Sequence, residues 1–194
     1  MPAIGITGGV ATGKSTFVEC LRELVPGAKF FDADKAAHEL VELDDVKQEL
    51  SREFGSAIFS SEGRLNRDAL RAIVFKDAAK RRGLEQILHP RIRRQWSALA
   101  ETHRDSPDFF FADIPLLYET GGETLCDRVV VVACSRSIQL ERLLQRGTAV
   151  AEKIIDSQMS LEEKISRADH VVWNNGARPV LVEQAKSLAA LWRS

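Results

Sequence analysis

Between an apolar run, Ala3 to Thr7, and an amphipathic stretch starting at Lys14, the chain reads Gly8-Gly9-Val10-Ala11-Thr12-Gly13-Lys14-Ser15. This satisfies G-x-x-x-x-G-K-[ST] in the strand, loop and helix context that gives the motif its meaning. Glycines at fixed spacing let backbone N–H groups converge on phosphate oxygens, and the positive end of the following helix faces the anion. Lys14 is placed to reach the β- and γ-phosphates of a nucleotide, and the Ser15 hydroxyl to serve a hard cation such as Mg²⁺. Gly9, Val10, Ala11, Thr12, Gly13, Lys14, Ser15 and Thr16 are therefore the candidate nucleotide-binding residues, with Ser15 the candidate metal ligand. The bland alternative is a glycine turn carrying an exposed lysine.

The loop also constrains the rest of the chain. From Lys14 the apolar positions Phe17, Val18, Leu21, Leu24 and Val25 recur at helical spacing until Pro26-Gly27 stops them. Further buried-type strands are predicted at Lys29 to Phe31, Phe109 to Ile114, Arg128 to Ala133 and His170 to Trp173. Their apolar residues are consecutive rather than alternating, which indicates a parallel sheet covered on both faces. The expected fold is α/β, a three-layer doubly wound parallel sheet with a helical insertion and a lid. Residues 1–35, 109–146 and 168–194 form the expected nucleotide-binding core. Residues 36–108 form the expected helical insertion, with helices at Ala36 to Leu43, Val46 to Phe54, Arg67 to Phe75, Ala78 to Leu88 and Ile92 to Thr102. The last two are divided by His89-Pro90. Residues 147–167, polar and helix-prone, form the expected lid.

Composition narrows the function classes. The 194 residues include 27 basic and 28 acidic side chains, a net charge of −1, which carries no whole-chain signature of a nucleic-acid or anionic-membrane binder. No apolar stretch approaches the roughly 20 residues that a membrane helix needs. Cys20, Cys126 and Cys134 are too scattered for a disulfide framework or a CxxC metal site, so a cytoplasmic, reducing location is the simplest expectation. The sequence leaves oligomeric state open, with a monomer the simpler expectation.

In an open α/β sheet, ligands sit beyond the carboxyl ends of the strands. Asp32-Ala33-Asp34 follows the Phe30-Phe31 strand, and Asp113 ends or nearly ends the Phe109-Phe110-Phe111 strand. A carboxylate ionised at neutral pH can accept a proton from an attacking alcohol, and Asp34 is the first candidate; Asp32 or Asp113 could orient metal-bound water. The alternative for Asp32 or Asp34 is a helix cap. Arg142 and Arg146 share a helix face and could clamp phosphates, or belong to a solvated face with Glu141. Residues 64–104 hold 11 Lys or Arg against 4 Asp or Glu, a local excess that suits an anionic partner or plain solvated helix surface. His89, before Pro90, reads by spacing as a helix-end residue.

These residues together resemble the dephospho-coenzyme A kinases, a family of P-loop nucleotide kinases. The likeness runs along nearly the whole chain: Gly5-Ile6-Thr7-Gly8-Gly9, Asp32-Ala33-Asp34 with Ala37-His38, Phe54-Gly55, Leu65-Asn66-Arg67, Leu88-His89-Pro90, Asp113-Ile114-Pro115-Leu116-Leu117-Tyr118-Glu119, Arg142, Arg146, Gln158-Met159, Ala168-Asp169 and Asn174. The resemblance implies ATP-dependent phosphorylation of the ribose 3′-hydroxyl of dephospho-coenzyme A, with Mg²⁺, as the last step of coenzyme A synthesis. It implies Asp34 as base, with Lys14 and Arg142 as catalytic cations, and Arg142, Arg146 and Asn174 around ATP. It further implies Thr7, Asp32, Asp34, His89, Asp113 and Leu117 at the acceptor. Two positions depart from the family pattern: Ala11 stands where glycine is usual, and Ile154 where an arginine commonly precedes Ile-x-x-Gln.

Two other readings fit a phosphate loop: a kinase of another small acceptor, such as a nucleoside monophosphate or hydroxy acid, and a nucleotide-dependent switch. No Asn-Lys-x-Asp guanine-reading segment is present.

Overall fold

The computed structural model of the chain describes residues 2–148 and 150–193. The apolar runs pair as five parallel strands, β1 (Ala3–Gly8), β2 (Lys29–Asp32), β3 (Phe110–Asp113), β4 (Arg128–Ala133) and β5 (His170–Trp173), in the order β2-β3-β1-β4-β5. The doubly wound parallel sheet expected from the sequence is the one observed. One face is covered by α1 (Lys14–Leu24) and α9 (Arg178–Leu191). Phe17, Leu21, Leu181 and Ala185 from these helices pack on Ile4, Ile6, Phe111, Val130 and Val132, all essentially solvent-free. On the opposite face, Leu117 and Cys126 crowd Gly5 so closely that a side chain there would lie within 3 Å of both. The chain winds from β1 outward to β2, returns to β3, then crosses β1 to β4. The carboxyl end of β1 is thus the switch point where an open α/β sheet leaves a crevice.

By compactness the chain divides into Met1–Asp32 with Leu99–Ser194, which holds the sheet, and Ala33–Ala98. The latter contains α2 (Ala33–Leu40), α3 (Asp44–Phe54), a 3₁₀ turn (Ser56–Ile58), α4 (Arg67–Lys76) and most of α5 (Ala78–His103). It has its own core of Leu40, Val46, Leu50, Ile58, Leu70 and Leu88. Asn66 caps α4 by accepting from the Ala69 N–H at 3.0 Å.

Two expectations are corrected here. The helix expected from Ala36 begins at Ala33, directly after β2 and without a loop. The break expected at His89-Pro90 is absent, and α5 runs through Pro90. A helix-interior proline removes one hydrogen bond and costs about 3 kcal/mol. Burial of Leu84, Ile87, Leu88 and Ile92 on both sides of it offsets that cost. The Arg91 guanidinium also donates to the Ile87 carbonyl at 2.8 Å, beside its ion pair with Glu49 at 2.7 Å.

Candidate active site

The loop joining β1 to α1 is shaped by two left-handed residues, Ala11 at φ 57° and Gly13 at φ 90°. Its carbonyls are turned away from the crevice and held there by side chains. Thr12 N–H and hydroxyl both donate to the Gly9 carbonyl, at 3.4 and 2.9 Å. Gln139, on α6 (Arg136–Gln145), donates to the Val10 carbonyl at 2.8 Å. Arg142 donates to the carbonyls of Ala11 and Thr12, each at 3.1 Å, and Asn174 donates to the Thr12 carbonyl at 2.9 Å. With the carbonyls so occupied, the backbone N–H groups of Ala11, Gly13, Lys14, Ser15 and Thr16 are without an acceptor among the described residues. Five clustered amide donors at a helix N-terminus form an anion-binding nest.

Ala11 explains itself in this setting. A left-handed alanine costs roughly 1–2 kcal/mol relative to glycine. Its methyl group is buried against Leu143 and Ala151, with Val10, Leu140 and Ile155 around it. One buried methyl contributes about 0.8 kcal/mol, and the smaller conformational freedom of unfolded alanine contributes a similar amount. The loop therefore accepts alanine at nearly no net cost.

Asp32 and Asp113 are register partners at the ends of β2 and β3, and Asp113 is also level with Ile6 of β1. The Lys14 ammonium pairs with the Asp113 carboxylate, with both side chains mostly buried. Ser15 is exposed at the first turn of α1, which leaves its hydroxyl open to a metal ion. The nest, the exposed Ser15 hydroxyl and the two strand-end carboxylates fit a magnesium–nucleotide complex. Arg146, one turn beyond Arg142, is exposed and its guanidinium has no partner among the described residues.

Other sequence-predicted residues fall in different settings. Arg142 faces the loop backbone: its second guanidinium nitrogen donates to the Asn174 carbonyl at 3.0 Å, so it braces the loop and Asn174 together. Thr7 is fully buried and its hydroxyl donates to the Pro115 carbonyl at 3.0 Å. Leu117 is fully buried beneath Gly5 and Gly122, so its side chain serves packing here. Asp34 lies in the first turn of α2 as an exposed carboxylate with no partner among the described residues. His89 is half-buried in α5, and burial pushes its imidazole below the usual value, with Glu85 opposing the shift.

The segment 147–167 contains α7 (Ala151–Asp156) and α8 (Leu161–Ser166); Ala149 lies outside the described residues. Ile154 lies within α7, and beyond that helix Gln158 accepts from the Val10 N–H at 3.0 Å. Sequence reasoning missed Gln139 and Lys164. Lys164 is fully buried and donates to Gly8, Pro115 and Glu119. Its one signal is position: it fills the place between Leu161 and Ile165 where a helix stripe calls for an apolar residue.

Beside α8, Tyr118 is buried, its hydroxyl has no partner among the described residues, and the Arg167 guanidinium lies 4.4 Å over its ring. Burial is the chief cause that pushes this phenol up to about 12, with Arg167 opposing it.

A model of the dephospho-CoA kinase family matches residues 2–179. A dephospho-CoA kinase from Anaeromyxobacter dehalogenans is 43% identical, covering 98% of this chain and 92% of that protein. Among solved structures, TT1252 from Thermus thermophilus superposes with a TM-score of 0.78 at 33% identity, covering 97% of this chain and 96% of the other. A dephospho-CoA kinase from Campylobacter jejuni gives 0.74 at 27% identity, covering 98% and 96%.

Two measurements check this geometry. A β-carbon at Gly13 would lie 1.9 Å from the Asn174 amide nitrogen. Gly13→Ala is therefore expected to weaken MgATP binding at least about tenfold by calorimetry, from the clash and the positive φ together. Gly63→Ala, at φ 73° in open space, is expected to leave that affinity unchanged. Tyr118 is also the chain's one tyrosine. Absorbance titration should show almost no tyrosinate at pH 10 in the folded protein and about half ionisation there in denaturant. Because the folded pKa is the higher one, the stability it contributes is complete below pH 10 and is lost as pH rises through 10 to 12.

Proposed function

The chain belongs to the dephospho-CoA kinase family, and from that premise we propose that it transfers the γ-phosphoryl group of ATP to the ribose 3′-hydroxyl of dephospho-CoA, giving CoA and ADP. The observation that carries this reading is the nest of five unpaired backbone N–H groups from Ala11 to Thr16, with Lys14 at its centre. Such a nest takes the β- and γ-phosphates, and Lys14 exchanges its Asp113 partner for their oxygens. Arg146, the exposed and unpartnered guanidinium, adds charge at the terminal phosphate. Arg142 acts one step back, by holding the Ala11 and Thr12 carbonyls outward so that the neighbouring amides point in.

Ser15 would hold Mg²⁺, with Asp32 and Asp113 available to orient its waters. When bound, the cation neutralises charge on the phosphate oxygens. Asp34 is the base: its carboxylate is unpaired, follows β2 by two residues and accepts the 3′-hydroxyl proton as the new P–O bond forms. The helical unit 33–98, with its excess of basic residues along α4 and α5, takes the anionic, pantetheine-bearing acceptor. Segment 147–167 serves as the lid that keeps water from the γ-phosphate. No helix among the described residues is long and apolar enough to cross a membrane, and the three cysteines are free thiols, which suits work in a reducing cytosol.

Purified protein with ATP and dephospho-CoA should form ADP in a coupled assay, with the added phosphate on the 3′-oxygen by ³¹P NMR. ADP formation no faster than without the acceptor overturns the assignment. Asp34→Asn is expected to lower turnover by roughly 10²- to 10⁴-fold while MgATP affinity stays within about threefold. Undiminished turnover removes Asp34 from the chemistry.

A further inference from the structure

Lys164 is the fully buried cation of α8. Its ammonium donates to the Glu119 carboxylate at 2.9 Å, the Pro115 carbonyl at 3.0 Å and the Gly8 carbonyl at 3.4 Å. Three acceptors use all three N–H bonds, as a buried ammonium requires if its lost hydration is to be replaced. The acceptors are not arbitrary. Gly8 is the last residue of β1 and the first of the phosphate loop. Pro115 lies two residues past Asp113, the partner of Lys14. The Pro115 carbonyl also accepts from the Thr7 hydroxyl at 3.0 Å, and the Glu119 carboxylate from the Met159 N–H at 3.1 Å. One ammonium therefore joins the entry of the phosphate loop, the turn that follows Asp113, and residues 159–164.

Resting on the kinase reading above, we propose that Lys164 is a positioning residue for phosphoryl transfer: it fixes the spacing between the phosphate loop and the Asp113-bearing turn. It touches no reacting atom. Its action runs through Gly8 and Pro115, which set where Lys14 meets its carboxylate partner and, in turn, the terminal phosphates. Phosphoryl transfer relies on placement more than on covalent help, so a small displacement of these two elements costs rate.

The test compares Lys164→Met with the double variant Lys164→Met/Glu119→Leu. The single variant leaves the Glu119 carboxylate without its cation, and its thermal midpoint should fall. The double variant removes both charges and should recover much of the midpoint. Turnover is expected to stay down by about ten- to a hundredfold in both, with KM for dephospho-CoA within about threefold. If turnover returns to the wild-type value together with the midpoint, Lys164 is structural only and the proposal fails. Should Lys164→Met not fold, Glu119→Gln, which keeps the shape and drops the charge, decides: a severalfold loss of turnover supports positioning, and an unchanged rate overturns it.

Wild-type turnover on dephospho-CoA tests the kinase reading separately. If the wild type fails on that acceptor, calorimetry with MgATP on the same variants still judges Lys164. Affinity weakened at least about fivefold supports it, and unchanged affinity sinks it.

Discussion

A loop that presents amides inward must do something with the carbonyls it turns outward, and the whole nucleotide-binding end of this protein is organised around that requirement. Each peptide carries a donor and an acceptor, so a nest of free N–H groups exists only if the opposite carbonyls are satisfied elsewhere. Gln139, Arg142 and Asn174 do this from α6 and the end of β5, and Thr12 does it locally. Arg142 is suited to the task because a planar guanidinium can serve three carbonyls from one rigid fork, which an ammonium on a flexible stem does less well. The geometry of Gly13 follows from the same need. Its left-handed φ turns the Thr12 carbonyl toward Asn174, and the absence of a side chain leaves room for the Asn174 amide.

The sheet supplies the second half of the arrangement. Parallel, in-register pairing brings Asp32, Asp113 and Ile6 to the same level, so the carboxylates arrive at the switch point without any loop to place them. The Asp113–Lys14 pair then keeps the loop's cation and the strand-end anion from being buried singly, which would be costly.

Much of this was legible in the sequence because it depends on periods and spacings. Consecutive apolar residues in β1, β3 and β4 indicated strands covered on both faces, and the glycine spacing located the nest. What was not legible depends on direction or on distant partners. Arg142 and Arg146 share a helix face by their spacing, yet that spacing cannot say that one guanidinium turns into the loop while the other stays in solvent. Lys164 finds its acceptors 156 and 49 residues away along the chain, beyond the reach of any local pattern. Pro90 misled because its local penalty is real and is outweighed only by a tertiary stripe that spans it. Thr7 and Leu117 sit in motif positions, and their burial is decided by what packs on Gly5 and by where Pro115 falls.

The division of labour among the cations has a consequence for the Ile154 departure. Of the positive groups near the nest, Lys14 is paired with Asp113, Arg142 is committed to carbonyls and Lys164 to Glu119. Arg146 has a guanidinium with no partner among the described residues, and it caps the C-terminus of α6 just ahead of segment 147–167. Segment 147–167, proposed as the lid, then has no need to carry the phosphate-binding charge. Its ties to the phosphate loop include the Gln158 contact to the Val10 N–H, the Lys164 contact to the Gly8 carbonyl and the apolar packing of Ala151 and Ile155 on Val10 and Ala11. Apolar contacts weaken little with salt, whereas an arginine brought in by a moving lid is screened until the site closes. The methyl of Ala11, standing where the family commonly has glycine, thus takes part in the apolar packing that ties the phosphate loop to segment 147–167.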